Sequence, residues 1–261
     1  MIGTDVVAEQ DLSRLSRYSN VYKLSELSKD APSPQLSDIE CLLVFSWPKE
    51  LTAETLQKMT RLRFIQSVLA GVNHIPFAHL ASSVTVCSNA GAYSDEVAEY
   101  AWGLLLSAAK RIVELHVSLR EEKWTLRRTL DKGTEVSILK DKVLGILGFG
   151  GIGTEVARIA HGFGMYVYAY SRKSRRVRGV KLFTGPQGLS ELLRRSDAVV
   201  LALPLTSQTA KIINKERLDE MKIDAILVNI ARGELVDEKA IYDHMIAHPM
   251  FRYATDVWWY R

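Results

Sequence analysis

Residues 143–164, VLGILGFGGIGTEVARIAHGFG, decide how this chain folds. Val143–Leu147 is a short apolar run of strand length, and Gly151–Phe163 carries a helical pattern. Between them Gly148-Phe149-Gly150-Gly151-Ile152-Gly153 fits G-x-G-x-x-G. That pattern says little alone, but strand, glycine turn and helix in succession are the context in which it carries meaning. Gly148 permits the tight turn, Gly150 lets the backbone approach a pyrophosphate, and Gly153 lets the helix pack close to the strand. The helix N-terminus, at Gly151 and Ile152, then offers N–H groups to an anion. The expectation is a dinucleotide held by its pyrophosphate.

Working outward, apolar runs alternate with helical patterns on the C-terminal side. Tyr166–Tyr170 reads as a strand, Leu189–Arg195 as a helix, and Ala198–Leu203 as a strand stopped by Pro204. Lys215–Met221 follows as a helix, Ala225–Asn229 as a strand, Glu238–His248 as a helix and Tyr253–Trp258 as a last strand. Such a series predicts a doubly wound parallel sheet. On the N-terminal side Cys41–Phe45, Phe64–Ser67 and Val84–Cys87 read as strands, and Thr52–Thr60 as a helix with Thr52 at its N-cap. Asn89–Gly91 is a turn signal. One long helix is predicted from about Ser94 to Arg120, its first turns bearing Asp95, Glu96 and Glu99, which suit the positive end of a helix dipole. The domain boundary falls at its start, giving an N-terminal domain of 1–93 and a dinucleotide-binding domain of 94–261.

The 261 residues carry a net charge of +4, with 47% hydrophobic and 25% charged residues, an ordinary globular balance. The dense basic cluster, Arg172, Lys173, Arg175, Arg176, Arg178 and Lys181, sits directly after the strand Tyr166–Tyr170. An NAD-preferring site has Asp or Glu there, about 20 residues beyond the glycine turn, to hold the ribose 2′-hydroxyl. Here the chain reads Tyr170-Ser171-Arg172-Lys173, a hydroxyl and two cations suited to a 2′-phosphate. NADP(H) is therefore expected over NAD(H), through Ser171, Arg172 and Lys173, and the cluster is assigned to the cofactor instead of to nucleic acid. Two cysteines, Cys41 and Cys87, argue against a disulfide framework or a multi-cysteine metal site. Asp5, Glu9 and Asp11 interrupt the start, and no apolar run approaches the ~20 residues that span a bilayer. A cytoplasmic protein with no metal and no membrane partner is expected.

The run LGILGFGGIGTEVARIAHGFG, 144–164, resembles the nucleotide-binding core of the D-2-hydroxyacid dehydrogenases. Ala70-Gly71-Val72-Asn73-His74 resembles that family's substrate loop, with Asn73 where Asp is usual. NAGAYSDEVAE, 89–99, resembles its hinge, and VNIARGELV, 228–236, the segment with its catalytic arginine. The resemblance implies a Rossmann domain beside a flavodoxin-like α/β domain. It also implies hydride transfer between a nicotinamide cofactor and a small 2-keto or 2-hydroxy acid of the glyoxylate or hydroxypyruvate type, by a homodimer. Carried over, Arg232 grips the substrate carboxylate and polarises the keto oxygen, while Ala70 and Gly71 offer backbone N–H groups to that carboxylate. Pro204 and Thr209 border the cofactor, Ile230 and Ala231 line the nicotinamide pocket, and Asp256 meets the nicotinamide amide. The long helix and the segment after it, around Trp124, would form the dimer contact.

The chain departs from the family in one respect. The family's Glu and general-acid His lie downstream of the Asp256 position, and residue 261 is reached before either. This leads to two expectations: that the sequence represents part of a longer enzyme, or that it is a non-catalytic NADP-binding relative. It also leads to the expectation that Trp258, Trp259 and Tyr260 are poorly protected on an exposed sheet edge. Of the six histidines, His74 adjoins the substrate loop without an acid/base role in the family. His244 and His248, spaced i, i+4, read as surface residues because no H-E-x-x-H pattern joins them.

Overall fold

The computed structural model describes residues 2–4, 13–23, 36–45, 51–72, 75–121 and 136–259. Asn73, His74, Trp124, Tyr260 and Arg261 lie outside this set. The chain divides into two compact units, Met1–Ala92 and Tyr93–Arg261.

In the first unit β1 (Ile2–Thr4), β2 (Val21–Lys23), β3 (Cys41–Val44), β4 (Phe64–Ser67) and β5 (Thr85–Cys87) form a parallel sheet in the order β2-β1-β3-β4-β5. That is the flavodoxin-like order. β1 and β2 were not legible as strands in the sequence, being only three residues each. Leu42, Val44 and Ile65 are buried beneath helix α1 (Ala53–Lys58), with Leu56 and Met59. Thr52 caps α1 as expected, its Oγ1 accepting from Thr55 N at 3.2 Å.

The second unit holds α2 (Ser94–Lys110), α3 (Ile112–Arg120), β6 (Val143–Leu147), α4 (Gly151–Gly162), β7 (Tyr166–Tyr170), β8 (Val180–Phe183) and α5 (Gly185–Arg195). β9 (Ala198–Leu201), α6 (Lys215–Asp219), β10 (Ile226–Asn229), α7 (Glu238–Ala247) and β11 (Arg252–Thr255) follow. The strands are parallel in the order β11-β10-β9-β6-β7-β8. Counted within the unit this is 6-5-4-1-2-3, the Rossmann order, with its switch point between β6 and β9. All four residues of β9 are buried, and the two-residue period of a strand sorts them. Ala198 and Val200 pack with Ala101 and Leu105 of α2 and Val156 of α4, while Val199 and Leu201 pack with Leu192 of α5, Leu218 of α6 and Ile241 of α7. A sheet covered on both faces needs such continuous apolar strands.

Three readings need correction. The helix expected over 94–120 is broken at Arg111, which is left-handed (φ 55°) and both closes α2 and starts α3. α2 buries Ala98, Ala101, Trp102, Leu105 and Ala109, whereas α3 buries nothing, so the two cannot share one straight packing stripe. β8 went unread because its four residues contain Lys181 and sit inside the basic cluster; Lys181 Nζ lies over the rings of Tyr168 and Phe183, and the apolar residues turn inward. The strands expected over 198–203 and 253–258 end at Leu201 and Thr255. Beyond β11 the backbone at Trp258 presses on Gly233, and Trp259 donates to Val236 O at 2.8 Å. Trp259 is thus tied down, while Trp258 is exposed.

Candidate functional site

In a parallel sheet every strand delivers its following loop to the same edge. The second unit therefore gathers the loops after β6, β7, β9, β10 and β11 along one carboxyl edge, and these carry almost all the residues singled out in this half of the sequence.

The glycine turn is fastened on both sides: Gly148 N donates to Tyr170 O at 3.0 Å, and Ala202 N donates to Leu147 O at 2.7 Å. Gly148 has φ +100°, and a Cβ there would strike the Ala202 carbonyl. A Cβ on Gly153 would be driven into the carbonyl oxygen of Gly148. Gly150 is different: it caps α4, and a Cβ there would meet nothing within 4 Å. Crowding therefore accounts for Gly148 and Gly153 but not for Gly150, where an added Cβ would meet open space. The first intrahelical bond runs from Thr154 N to Gly150 O at 3.0 Å, so the N–H groups of Gly151, Ile152 and Gly153 precede it and face the helix N-terminus. A pyrophosphate fits this cradle.

Beside it, Ser171 N donates to Phe183 O at 3.1 Å and its Oγ donates to Lys173 O at 2.6 Å, folding the loop after β7 back on itself. Arg172 and Lys173 are exposed. Arg175, counted in the basic cluster but given no role of its own from the sequence, reaches the glycine turn: its Nη2 donates to Phe149 O at 2.7 Å and its guanidinium lies 5.4 Å from the Phe149 ring centroid. Nothing in its spacing singled it out from the other cluster cations. Pro204 and Thr209 close one loop, Thr209 Oγ1 donating to Pro204 O at 2.7 Å and accepting from Thr206 N at 2.8 Å.

The loop after β10 is organised by Asn229, fully buried. Its Oδ1 accepts from Ala231 N at 3.1 Å, and its Nδ2 donates to Arg232 O at 2.8 Å and to Tyr253 OH at 3.2 Å. Ile230 is buried, Ala231 is half-buried, and Arg232 is half-buried in extended backbone, its Nη1 donating to Ala231 O at 2.7 Å. The sequence offered VNIARG as a motif but no means of seeing that Asn229 shapes it. Asp256 follows β11 and is exposed, its carboxyl held above the ordinary Asp range chiefly by the partial desolvation of its surroundings.

In the first unit Ala70 and Gly71 follow β4 at the carboxyl edge of its sheet. Buried Ser67 accepts from Leu69 N at 3.2 Å, Asn89 N donates to Leu69 O at 3.1 Å, and Asn89 Nδ2 donates to Val68 O at 3.2 Å, so this loop is braced from β5's following turn.

His244 corrects the sequence reading: it is buried, not superficial. It lines a groove of about 590 Å³ between α6 and α7, its ring centroid 4.4 Å from that of His248 and 4.7 Å from that of Phe251, with Asp219 Oδ1 3.7 Å from its Nδ1. Burial, then the neighbouring His248, depresses its pKa below 6.5, against the opposing pull of Asp219. The fold thus favours neutral His244, and the unfolded chain binds the proton more readily. Its contribution to stability is complete above about pH 6.5 and lost as pH falls through the depressed value. Thermal unfolding followed between pH ~7.5 and ~5 should show declining stability, and His244→Gln should flatten that decline; an unchanged slope in the variant would remove His244 as its source. Among the described residues no group of three or more His, Cys, Asp or Glu is placed to hold a metal, and no helix is long and apolar enough to cross a membrane.

Residues 102–261 match the family described as D-isomer specific 2-hydroxyacid dehydrogenase, NAD binding domain. The chain is 36% identical over 220 residues to a glyoxylate reductase of Thermococcus kodakarensis, covering 83% of this chain and 66% of that protein, just under two thirds of its length. It is 34% identical over 232 residues to a hydroxypyruvate reductase of Thermotoga maritima, covering 88% of this chain and 73% of the relative. Among solved structures, a D-lactate dehydrogenase from Aquifex aeolicus complexed with NAD and lactic acid aligns with a TM-score of 0.79 at 26% identity, over 98% of this chain and 76% of that one.

Proposed function

This chain belongs to the D-isomer specific 2-hydroxyacid dehydrogenase family, and from that premise we propose that it serves an NADP(H)-dependent reductase of small 2-keto acids, of the glyoxylate or hydroxypyruvate type. The observation that carries the reading is that the glycine turn, open at Gly150, and the Arg232 loop lie on one sheet edge.

Reduction adds a hydride and a proton to the keto group. The reduced nicotinamide, when bound, would supply the hydride, and the proton would come from the general acid that the family carries downstream of the Asp256 position, not from the residues assigned to this site. The chain's own residues bind and orient. The amides of Gly151–Gly153 take the pyrophosphate, with Pro204 and Thr209 bordering the cofactor. Ile230 and Ala231 wall the nicotinamide pocket, and Asp256 accepts from the carboxamide. Arg232 holds the substrate carboxylate and faces the keto oxygen as it gains negative charge, a role suited to a rigid, permanently charged fork. Ala70 and Gly71 add backbone N–H groups to the carboxylate. A homodimer is part of this reading, supported by the exposed Ile112, Val113, Val117 and Leu119 of α3 and checked by light scattering. The free thiols of Cys41 and Cys87 are compatible with a cytoplasmic setting.

The preference for NADP(H) rests on the loop after β7, where no carboxylate competes for a 2′-phosphate. Fluorescence titration should give NADPH a lower Kd than NADH. Replacing Arg172 and Lys173 together by Ser should weaken NADPH about a hundredfold and NADH by less than about threefold, as two charge-assisted bonds are removed. Equal losses for both nucleotides would overturn the assignment.

A further inference from the structure

Tyr253 lies on β11, opposite Leu227 of β10, and Thr255 lies opposite Asn229. Strand periodicity puts Leu227, Asn229, Tyr253 and Thr255 on one face of the sheet. The Tyr253 phenol reaches diagonally to Asn229 Nδ2, at 3.2 Å. Thr255 Oγ1 lies 2.9 Å from both Asn229 O and Val257 O, which share its one hydrogen. The phenol ring lies 6.3 Å from that of Trp259 between centroids, tilted, and Trp259 is itself bound to Val236 O.

The orientation of the Asn229 amide is forced. Ala231 N can only donate and Arg232 O can only accept, so Oδ1 faces the first and Nδ2 the second. Nδ2 has two hydrogens, and Tyr253 OH takes the second. The buried amide is then satisfied at three points, and each one fixes its plane. Since that plane sets where the backbone of Ala231 and Arg232 runs, the guanidinium's root is placed from β11. Burial raises the phenol's pKa further above the neutral range, where a tyrosine is protonated in any case.

We propose that Tyr253 is a positioning residue for Arg232, acting through the Asn229 amide that it helps to hold. The proposal rests on the assignment of Arg232 to the substrate carboxylate. Removing the phenol leaves one buried N–H of Asn229 without a partner, which lets the amide turn and the 230–232 backbone drift. On this reading Ile230 and Ala231 meet only the nicotinamide end, whereas the glycine turn and the loop after β7 hold the pyrophosphate and the 2′-phosphate, so a drift at 230–232 costs NADPH little.

Tyr253→Phe keeps the ring and its packing against Trp259. In the full-length enzyme with saturating NADPH, its affinity for oxamate, an unreactive 2-keto acid mimic, should fall about fivefold, while NADPH affinity stays within about twofold. Hydrogen exchange of the peptide spanning 226–236 should speed up about tenfold, with the other strands of the sheet unchanged. In an Arg232→Lys background the added Tyr253→Phe change should alter oxamate affinity by less than about twofold, because both act along one path. Unchanged exchange in 226–236 with unchanged oxamate affinity would overturn the proposal. So would a parallel loss of NADPH affinity, which marks a general structural role. If the unsubstituted enzyme binds NADPH but no oxamate, the assignment of Arg232 itself falls, and this inference with it.

Discussion

Gly153→Ala is expected to unfold or severely weaken the second unit, whereas Gly150→Ala, three residues away, should leave it folded and unable to bind dinucleotide. A methyl at 153 is aimed at the carbonyl oxygen of Gly148, a backbone atom held by the Gly148 N to Tyr170 O bond and by the approach to Ala202. Nothing flexible can yield, so the cost lies at or above the upper end for overpacking, about 3 kcal/mol or more. For a unit of this size the melting temperature should drop by about 10 °C. At position 150 the added methyl meets no protein atom, and its φ of −92° is open to alanine. Melting should shift by no more than about 3 °C, the effect of a poorer N-cap residue. NADPH affinity should nevertheless fall at least about a hundredfold, because the methyl keeps the pyrophosphate from the amides of Gly151–Gly153. Paired melting curves and titrations of the two variants check this. If Gly150→Ala binds NADPH like the unsubstituted protein, the glycine turn is not the pyrophosphate site, and the functional reading loses its base.

Arg232→Ala should remove activity without touching fold or cofactor. The guanidinium's hydrogen bond is to the carbonyl of its own neighbour, Ala231, so its loss leaves no distant partner stranded. In the proposed reaction it has two tasks. Facing the keto oxygen as charge develops is worth about 10²–10³ in kcat for a single donor. A charge-assisted grip on the carboxylate is worth about 1.5–3 kcal/mol of binding, about ten- to a hundredfold in KM. With glyoxylate or hydroxypyruvate and NADPH, kcat/KM should fall about 10³–10⁵-fold while NADPH Kd stays within about twofold. Arg232→Lys should recover part of kcat but little of KM, since it keeps charge and loses the planar fork. Turnover that survives Arg232→Ala would show that another group orients the substrate.

Much of this was legible without coordinates, for local reasons. The G-x-G-x-x-G turn between a strand and a helix, the strand beginning at Ala198, expected to Leu203 and ending at Leu201, and the cap at Thr52 each depend on a few adjacent residues and on backbone geometry that those residues dictate. The absence of a carboxylate after Tyr170 was equally plain, because that loop's composition is a property of the chain alone.

What the tertiary structure decided involves residues far apart in sequence. The break at Arg111 follows from α2 finding a core to bury against and α3 finding none, which periodicity alone does not reveal. β8 exists because β7 stands beside it to pair with, despite the cations around it. The burial of His244 depends on Phe251 and α6 closing around it, and the reach of Arg175 to Phe149 spans 26 residues. Above all, Asn229, Tyr253 and Arg232 are joined by hydrogen bonds only because parallel pairing in one register brings β10 and β11 side by side. The sequence specified the turns and the apolar periods; partnership across the sheet had to wait for the fold, since hydrogen bonds form by proximity in space and the chain encodes proximity only through packing.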